Sequence, residues 1–245
     1  ILIVIGSLNL GGTEKQLLNT IGFLKDEFEF RIVTLLTPGD LEKEFINFGV
    51  NVVSINSVFK NPLIKNIKRA LSIYFEIKKY QPSIVHFYLP HSYLLGAYTS
   101  FIFKKIKFIM SRRSMNYYQN KIPFCKTIEK IFHKKMDLII ANSKKNLNQL
   151  INEESVKKRK CKLIYNGVEI KKSIKRNKNR IVRLICVANF IEYKNHNMLL
   201  KACSLIPKEL NWKLVLIGNT NSPLIKDITL LIEKSKLTKK IIIKS

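Results

Sequence analysis

Short, wholly apolar segments alternate with segments of helical periodicity along almost the entire chain, and few folds accommodate that rhythm. ILIVI (1–5) is continuously apolar, which suits a strand covered on both faces. Leu17, Leu18, Ile21 and Leu24 then recur at helical spacing behind Thr13, the expected N-cap. The strand signal returns at FRIVTLL (30–36), VNVVSI (50–55), SIVHFY (83–88), IKFIMS (106–111) and DLIIANS (137–143). CKLIYNGV (161–168) reads as strand then turn. Between the strands lie LEKEFINFG (41–49), closed by a glycine in the C′ position, and helices from Pro62 to about Tyr80, through 103 and to about Lys135. Ser143 is expected to cap the helix that follows it. Such alternation specifies a parallel α/β sheet.

The rhythm pauses once. KKSIKRNKNR (171–180) has almost no apolar residue and reads as a linker. The pattern then restarts with RLICVAN (183–189), a helix from Asn195, WKLVLIG (212–218), another helix and a last strand. The expected plan is a Rossmann-like domain over 1–170, a basic linker over 171–180 and a second, incomplete Rossmann-like domain over 181–245. Residue 1 is not Met and already lies inside a strand, and the last residues have just formed another, so the chain reads as a fragment.

At 245 residues with 46% hydrophobic content, a buried core is within reach. The nearest approach to a membrane span, LLGAYTSFIF (94–103), is too short and reads as a buried helix. No secretory signal pattern is present, and Cys125, Cys161, Cys186 and Cys203 form no C-x-x-C pair; a reduced, cytoplasmic chain is expected. The 44 Lys and Arg against 17 Asp and Glu give a formal charge of +27, which attracts nucleic acid, anionic lipid or phosphorylated substrates. Lys, Ile and Asn share A/T-rich codons, and that bias accounts for the larger part of the excess. A membrane-facing role takes most of the remainder. The bases are spread along the chain without an RNA or DNA motif, which argues against a specific nucleic-acid partner.

A few residues stand out chemically. Gly11 and Gly12 precede a helix N-terminus, where bare N–H groups favour an anion. The segment is neither G-x-G-x-x-G nor G-x-x-x-x-G-K-[ST], so a tight turn with good packing explains the pair equally well. Glu14, in the first turn, is equally a partner for the helix dipole. His86 and His91 flank the C-terminal end of a strand, where ligands gather in open α/β sheets, although a lone strand histidine is more often structural. Arg112 and Arg113 follow a strand end, with Tyr117, Tyr118, Ile122, Phe124 and Phe132 nearby. They could meet an acidic or phosphorylated acceptor, lie on anionic lipid, or form a solvated loop. No H-E-x-x-H, Cys-His cluster or paired-Asp site appears.

Six segments occur together in order: SLNLGGTEKQLL near the start, IVHFYLPHSYLLGA (84–97), DLIIANS (137–143), YNGVE (165–169), VANFIEYKNHNMLLKA (187–202) and WKLVLIG (212–218). With the two-domain plan, the chain resembles the family 4 glycosyltransferases (glycosyl transferases group 1), of the GT-B fold, over essentially its whole length. The resemblance implies a retaining enzyme that moves a sugar from a nucleotide-diphosphate donor to a lipid-linked or polysaccharide acceptor, with no metal or other cofactor. As the donor bond breaks, the departing diphosphate gains negative charge, and fixed cations and N–H donors stabilise that transition state most. By the same resemblance, the Gly11–Gly12 loop lies in the inter-domain cleft near the diphosphate. A histidine, His86 or His91, is oriented to the transferred sugar. Tyr88 stands where relatives often have another histidine, and that role is not carried over to it.

The family grips the diphosphate with an arginine and a lysine. Lys194 fills the lysine position, Asn189 stands at the arginine position, and Asn195 replaces the usual glycine after the lysine. Asn142, Ser143, Asn166 and Gly167 belong to family motifs with structural work expected of them. Relatives also carry a pair of glutamates further along the second domain; these would fall after residue 245, so the chain as given is expected not to turn over substrate. The implied partners are a nucleotide-sugar donor, a lipid-linked or polysaccharide acceptor and, peripherally, an anionic membrane at its cytoplasmic face. The rival readings are a nucleotide-sugar epimerase of the same fold and a non-enzymatic polyanion-binding protein.

Overall fold

The computed structural model describes residues 1–36, 39–55, 60–170, 181–207 and 209–245. These fall into two compact units, Ile1–Glu169 and Ile170–Ser245. The expected linker at 171–180 lies outside the described residues.

The first unit runs β1 (Leu2–Ile5), α1 (Gly12–Leu24), β2 (Arg31–Thr34), α2 (Glu42–Asn47), β3 (Asn51–Ser54), α3 (Pro62–Tyr80), β4 (Ile84–Tyr88) and α4 (Leu89–Gly96). It continues with β5 (Lys107–Arg112), α5 (Cys125–Lys135), β6 (Leu138–Ala141), α6 (Lys144–Asn152) and β7 (Cys161–Leu163). The strands form one parallel sheet in the order β3-β2-β1-β4-β5-β6-β7. The chain steps outward from β1 to β3, returns to place β4 beside β1, then steps the other way. That reversal leaves a switch point between β1 and β4 where the loops leaving the C-terminal strand ends diverge.

The continuous apolar runs are explained by helices on both faces. Leu2 and Val4 join Val85, Phe87, Tyr93, Phe108 and Met110 in one core, while Ile3 and Ile5 join Leu17, Ile21 and Phe45 in the other. The period-2 alternation of a strand divides its side chains between the two.

Two local expectations need correcting. Helix α1 is capped by Gly11 in extended conformation, with no side-chain cap, rather than by Thr13. The carboxylate of Glu14 folds back over that cap: a Cβ on Gly11 would stand 2.3 Å from its Oε2. The helix expected through 103 ends at Gly96 and tightens into a 3-10 turn over Ala97–Phe101. There the hydroxyls of Thr99 and Ser100 donate to the carbonyls three residues back, at 2.6 Å each, competing with the regular helix ladder. Elsewhere the signals hold. Gly49 closes α2 at φ 79°, and Ser143 Oγ accepts from the Asn146 N–H at 3.2 Å.

The second unit consists of β8 (Val182–Val187), α7 (His196–Ser204), β9 (Trp212–Ile217), α8 (Leu224–Lys234) and β10 (Ile241–Lys244). Its parallel sheet has the order β10-β9-β8, over a core of Phe190, Leu200, Trp212, Leu214, Leu216, Ile228 and Ile232. Both units are thus Rossmann-like, as the GT-B resemblance implies. All four cysteines are free, and among the described residues no helix is long and apolar enough to cross a membrane.

Candidate active site

The loop after β1 reaches the switch point under firm constraint. Its Leu10 N–H donates to Asp40 Oδ2 at 3.0 Å, and Leu8 O accepts from the Leu41 N–H at 3.0 Å. Gly39, at φ 108°, makes this approach possible, since a Cβ there would stand 2.4 Å from the Asn9 nitrogen. The two loop glycines differ in what surrounds them. A Cβ on Gly12 would meet nothing within 4 Å, whereas the space beside Gly11 is taken by Glu14. Burial raises the Glu14 carboxyl above its ordinary value, opposed by a bond from its own N–H and by the charge of Arg113.

On β4, the partly buried His86 places Nε2 2.8 Å from Ser111 Oγ of β5, with its ring centroid 4.3 Å from that of Tyr88. Burial, then the nearby Arg113 charge, lowers its pKa to about 3, so the ring is neutral near pH 7. A neutral imidazole can orient a hydroxyl without adding charge. The chain leaves β4 through Leu89 at φ 70°, a costly conformation for a branched side chain. Ser92 holds that corner, its hydroxyl donating to the carbonyls of Tyr88 and Leu89. Strain of this kind clusters at functional sites.

His91, in the first turn of α4, is only partly open to solvent; burial of the rest of the side chain, then the charge of Arg69 on α3, lowers its pKa. Arg69 was not singled out from the sequence. It is 6% exposed, its Nε has no partner, and Nη1 reaches only Asn66 Oδ1 at 3.5 Å. No carboxylate pairs with it among the described residues. The signal was its spacing: Arg69, Ile73 and Ile77 fall on one helical stripe, and all three are buried.

Arg112 and Arg113 part company because successive strand residues face opposite sides. Arg113 points toward the switch point, donating from Nη2 to Asn166 Oδ1 at 2.6 Å, and its charge acts on Glu14, His86 and Tyr88. Burial lowers its own pKa. Arg112 goes the other way, and the expectation of an acceptor or membrane contact is wrong for it. It is 1% exposed and lies between α5 and the end of α6, with Nη2 2.6 Å from Glu154 Oε2 and 3.3 Å from Glu129 Oε2. Its Nη1 donates to the hydroxyl of Tyr118, which also bonds Glu129. His133 Nε2 lies 2.8 Å from Glu154, and Nδ1 lies 2.8 Å from the Tyr93 hydroxyl. A strand-end arginine turns inward here because two buried carboxylates meet it. Ligand atoms of Glu129, His133 and Glu154 lie within 4.8 Å of one another, but the guanidinium already claims the carboxylates, so the set forms an ion pair rather than a cation site. Tyr118 and Phe132 are drawn inward with it, leaving Tyr117, Ile122 and Phe124 exposed.

In the second unit, Asn189 follows β8, and its Oδ1 accepts a long bond, 3.5 Å, from the Asn219 N–H. Lys194 is exposed at the end of a 3-10 turn, its Nζ 5.3 Å from the Tyr193 ring centroid and without a carboxylate partner among the described residues. Asn195 adopts φ 52° and accepts from the Met198 N–H at 3.3 Å. It fills the left-handed position a glycine would take and caps α7 as well.

The chain has relatives among known glycosyltransferases. The chain is 25% identical to the capsular polysaccharide biosynthesis glycosyltransferase CapH of Staphylococcus aureus, over 88% of this chain and 61% of that protein. It is 23% identical to the N-acetylgalactosamine-N,N'-diacetylbacillosaminyl-diphospho-undecaprenol 4-alpha-N-acetylgalactosaminyltransferase of Campylobacter jejuni, over 98% of this chain and 68% of that protein. The chain therefore spans about two thirds of the length of these relatives. Its fold is similar to that of Anabaena HepE, solved in complex with UDP and glucose, with a TM-score of 0.77 at 14% identity, covering 99% of this chain and 68% of that one. Residues 10–172 match the family model Glycosyltransferase Family 4, and the chain belongs to that family.

Proposed function

We propose that the protein is a retaining glycosyltransferase that moves a sugar from a nucleotide-diphosphate donor to a lipid-linked or polysaccharide acceptor. The observation that carries this reading is the grouping, at one switch point, of the open backbone at Gly12, a neutral His86 and the Arg113 guanidinium. The α1 N-terminus supplies N–H groups and the positive end of a helix dipole, suited to charge that grows on a departing phosphate. His86 orients the transferred sugar, with His91 beside Arg69 on the acceptor side. Lys194 neutralises the diphosphate, and Asn189 contributes a hydrogen bond without charge. The 1–170 region serves the acceptor and the 181–245 region the donor. With these groups in place, leaving-group stabilisation needs no metal.

The relatives support the substrate classes. The Campylobacter jejuni enzyme is named for a diphospho-undecaprenol acceptor and CapH for capsular polysaccharide, while HepE was solved with UDP. Because the family model and both relatives are transferases, transfer is favoured over epimerisation. The exposed Tyr117, Ile122 and Phe124, with Lys121 and Lys126 beside them, suit peripheral contact with an anionic membrane at its cytoplasmic face.

The test is transfer by the full-length protein from UDP- and GDP-sugars, with the product's anomeric configuration read by NMR. Lys194→Ala is expected to lower the rate by about 10²–10³ at an unchanged melting temperature. Undiminished transfer by that variant removes the diphosphate assignment, and an inverted product removes retention.

A further inference from the structure

A second charged feature lies at the opposite edge of the first sheet. Residues 134 and 157–160 immediately precede β6 and β7, so they stand at the N-terminal ends of the parallel strands, away from the switch point. They help to line a cavity of about 570 Å³ whose walls carry Lys130, Lys134, Lys157, Arg159 and Lys160. The buried His133 and Glu154 lie at the same cavity.

The local chain builds this arrangement. After α6, Ser155 takes a left-handed conformation at φ 60°, and the Val156 N–H returns to Leu150 O at 3.0 Å, the helix-ending pattern in which glycine is usual. The turn sends KKRK (157–160) across the end of α5, where Lys160 Nζ donates to Lys134 O at 2.8 Å and Met136 O at 2.7 Å. Lys160 is thereby fixed as one wall.

The charge there is not balanced internally. Lys130, Lys134, Lys157 and Arg159 form no ion pair among the described residues. Glu154 is committed to Arg112 and His133, and Asp137 to Lys107. Burial lowers the Lys160 pKa, Asp137 opposes it, and the crowding charges of Arg159, Lys157 and Lys135 add smaller downward contributions. An anion would relieve that crowding while meeting several charged donors at once.

We infer that this cavity is a binding site for a phosphate-bearing anion, separate from the candidate active site. Phosphate chemistry fits because several cations lining one cavity can each take an oxygen. The ligand is either a free phosphate compound or a phospholipid headgroup.

Two probes distinguish these sources. Inorganic pyrophosphate is titrated calorimetrically into the full-length protein, and vesicles of phosphatidylglycerol or phosphatidylcholine are co-sedimented with it. Both are repeated with Lys157→Glu/Arg159→Glu and with Lys78→Glu/Lys79→Glu on exposed α3, which makes the same change in net charge elsewhere. Each charge-assisted bond lost should weaken binding by about tenfold or more. Pyrophosphate binding that only the cavity reversal weakens identifies a free phosphate ligand. Retention on phosphatidylglycerol alone, lost only with the cavity reversal, identifies a headgroup. If neither probe binds, or if both reversals weaken binding equally, the site does not exist and only bulk charge is acting.

Discussion

Replacing Arg112 by methionine tests whether the buried ion cluster holds the first unit together. Arg112, Glu129 and Glu154 are each about 1% exposed or less, so solvent screens none of the three charges. Removing the guanidinium strands two buried carboxylates, which retain only His133, Tyr118, Gln119 and Asn116 as partners. Breaking a buried pair from one side costs about 3–5 kcal/mol. For a domain of this size, about 2–4 °C accompanies each kcal/mol, giving a fall in Tm of about 6–20 °C.

The pH dependence makes the test sharper. Burial pushes the Glu154 pKa up, but the His133 hydrogen bond and the Arg112 charge outweigh it, and the net shift is downward. A lowered carboxyl pKa contributes stability above the unfolded value and loses it as pH falls through the folded value. Without Arg112, burial acts on Glu154 with less opposition, its carboxyl pKa rises, and its penalty is relieved by protonation as pH falls. The gap between wild type and Arg112→Met should therefore narrow from pH 7 to pH 4. Urea unfolding followed by circular dichroism at several pH values reads it directly. A gap below about 1 kcal/mol at pH 7 (the ceiling for a surface pair), or one that does not change with pH, refutes the argument.

Two further outcomes follow from single residues. His86 binds its proton only near pH 3, against 6.5 when unfolded, so its contribution to stability declines as pH falls between those values, with a limiting slope of about 1.4 kcal/mol per pH unit. A His86→Gln variant should lose that part of the slope, and NMR of the wild-type ring should show a neutral imidazole at pH 5.5; an imidazolium there contradicts the geometry. At φ 52°, Asn195→Ala loses both the left-handed tolerance and the cap, and should cost about 1–3 kcal/mol in thermal unfolding. Asn195→Gly keeps the first and should cost less; equal losses would show that the cap alone matters.

The sheet was readable because buried parallel strands must be apolar on both faces, and each expected strand is found within two residues or so of its ends. Helix α3 was readable from Pro62 to about Tyr80, since Pro62 fixes the first turn; the structure adds Asn61, which accepts from the Leu63 and Ile64 N–H groups. Arg112 was misread because a charged strand end does not reveal which face it serves. Its compensation comes from Glu129 and Glu154, 17 and 42 residues further on, and no local pattern predicts that meeting. The cap at Thr13 failed for a related reason: Gly11, in extended conformation, takes the cap position, and the Glu14 carboxylate from the third helical residue fills the space beside it. Arg69 is hidden in the sequence because it occupies a place on the buried stripe of α3 that helical spacing assigns to apolar side chains.

The pairing of β1 with β4 joins Leu2 to Val85, while its pairing with β2 joins Leu2 to Arg31. During synthesis, β1 can acquire its first neighbour early but must wait for more than fifty further residues before its other side is covered. Over that interval the central strand presents an open, apolar edge to solvent or to a neighbouring nascent chain. Ribosome pausing upstream of β4 would prolong this exposure, making the production of this protein more sensitive to chaperone supply than its finished core would indicate.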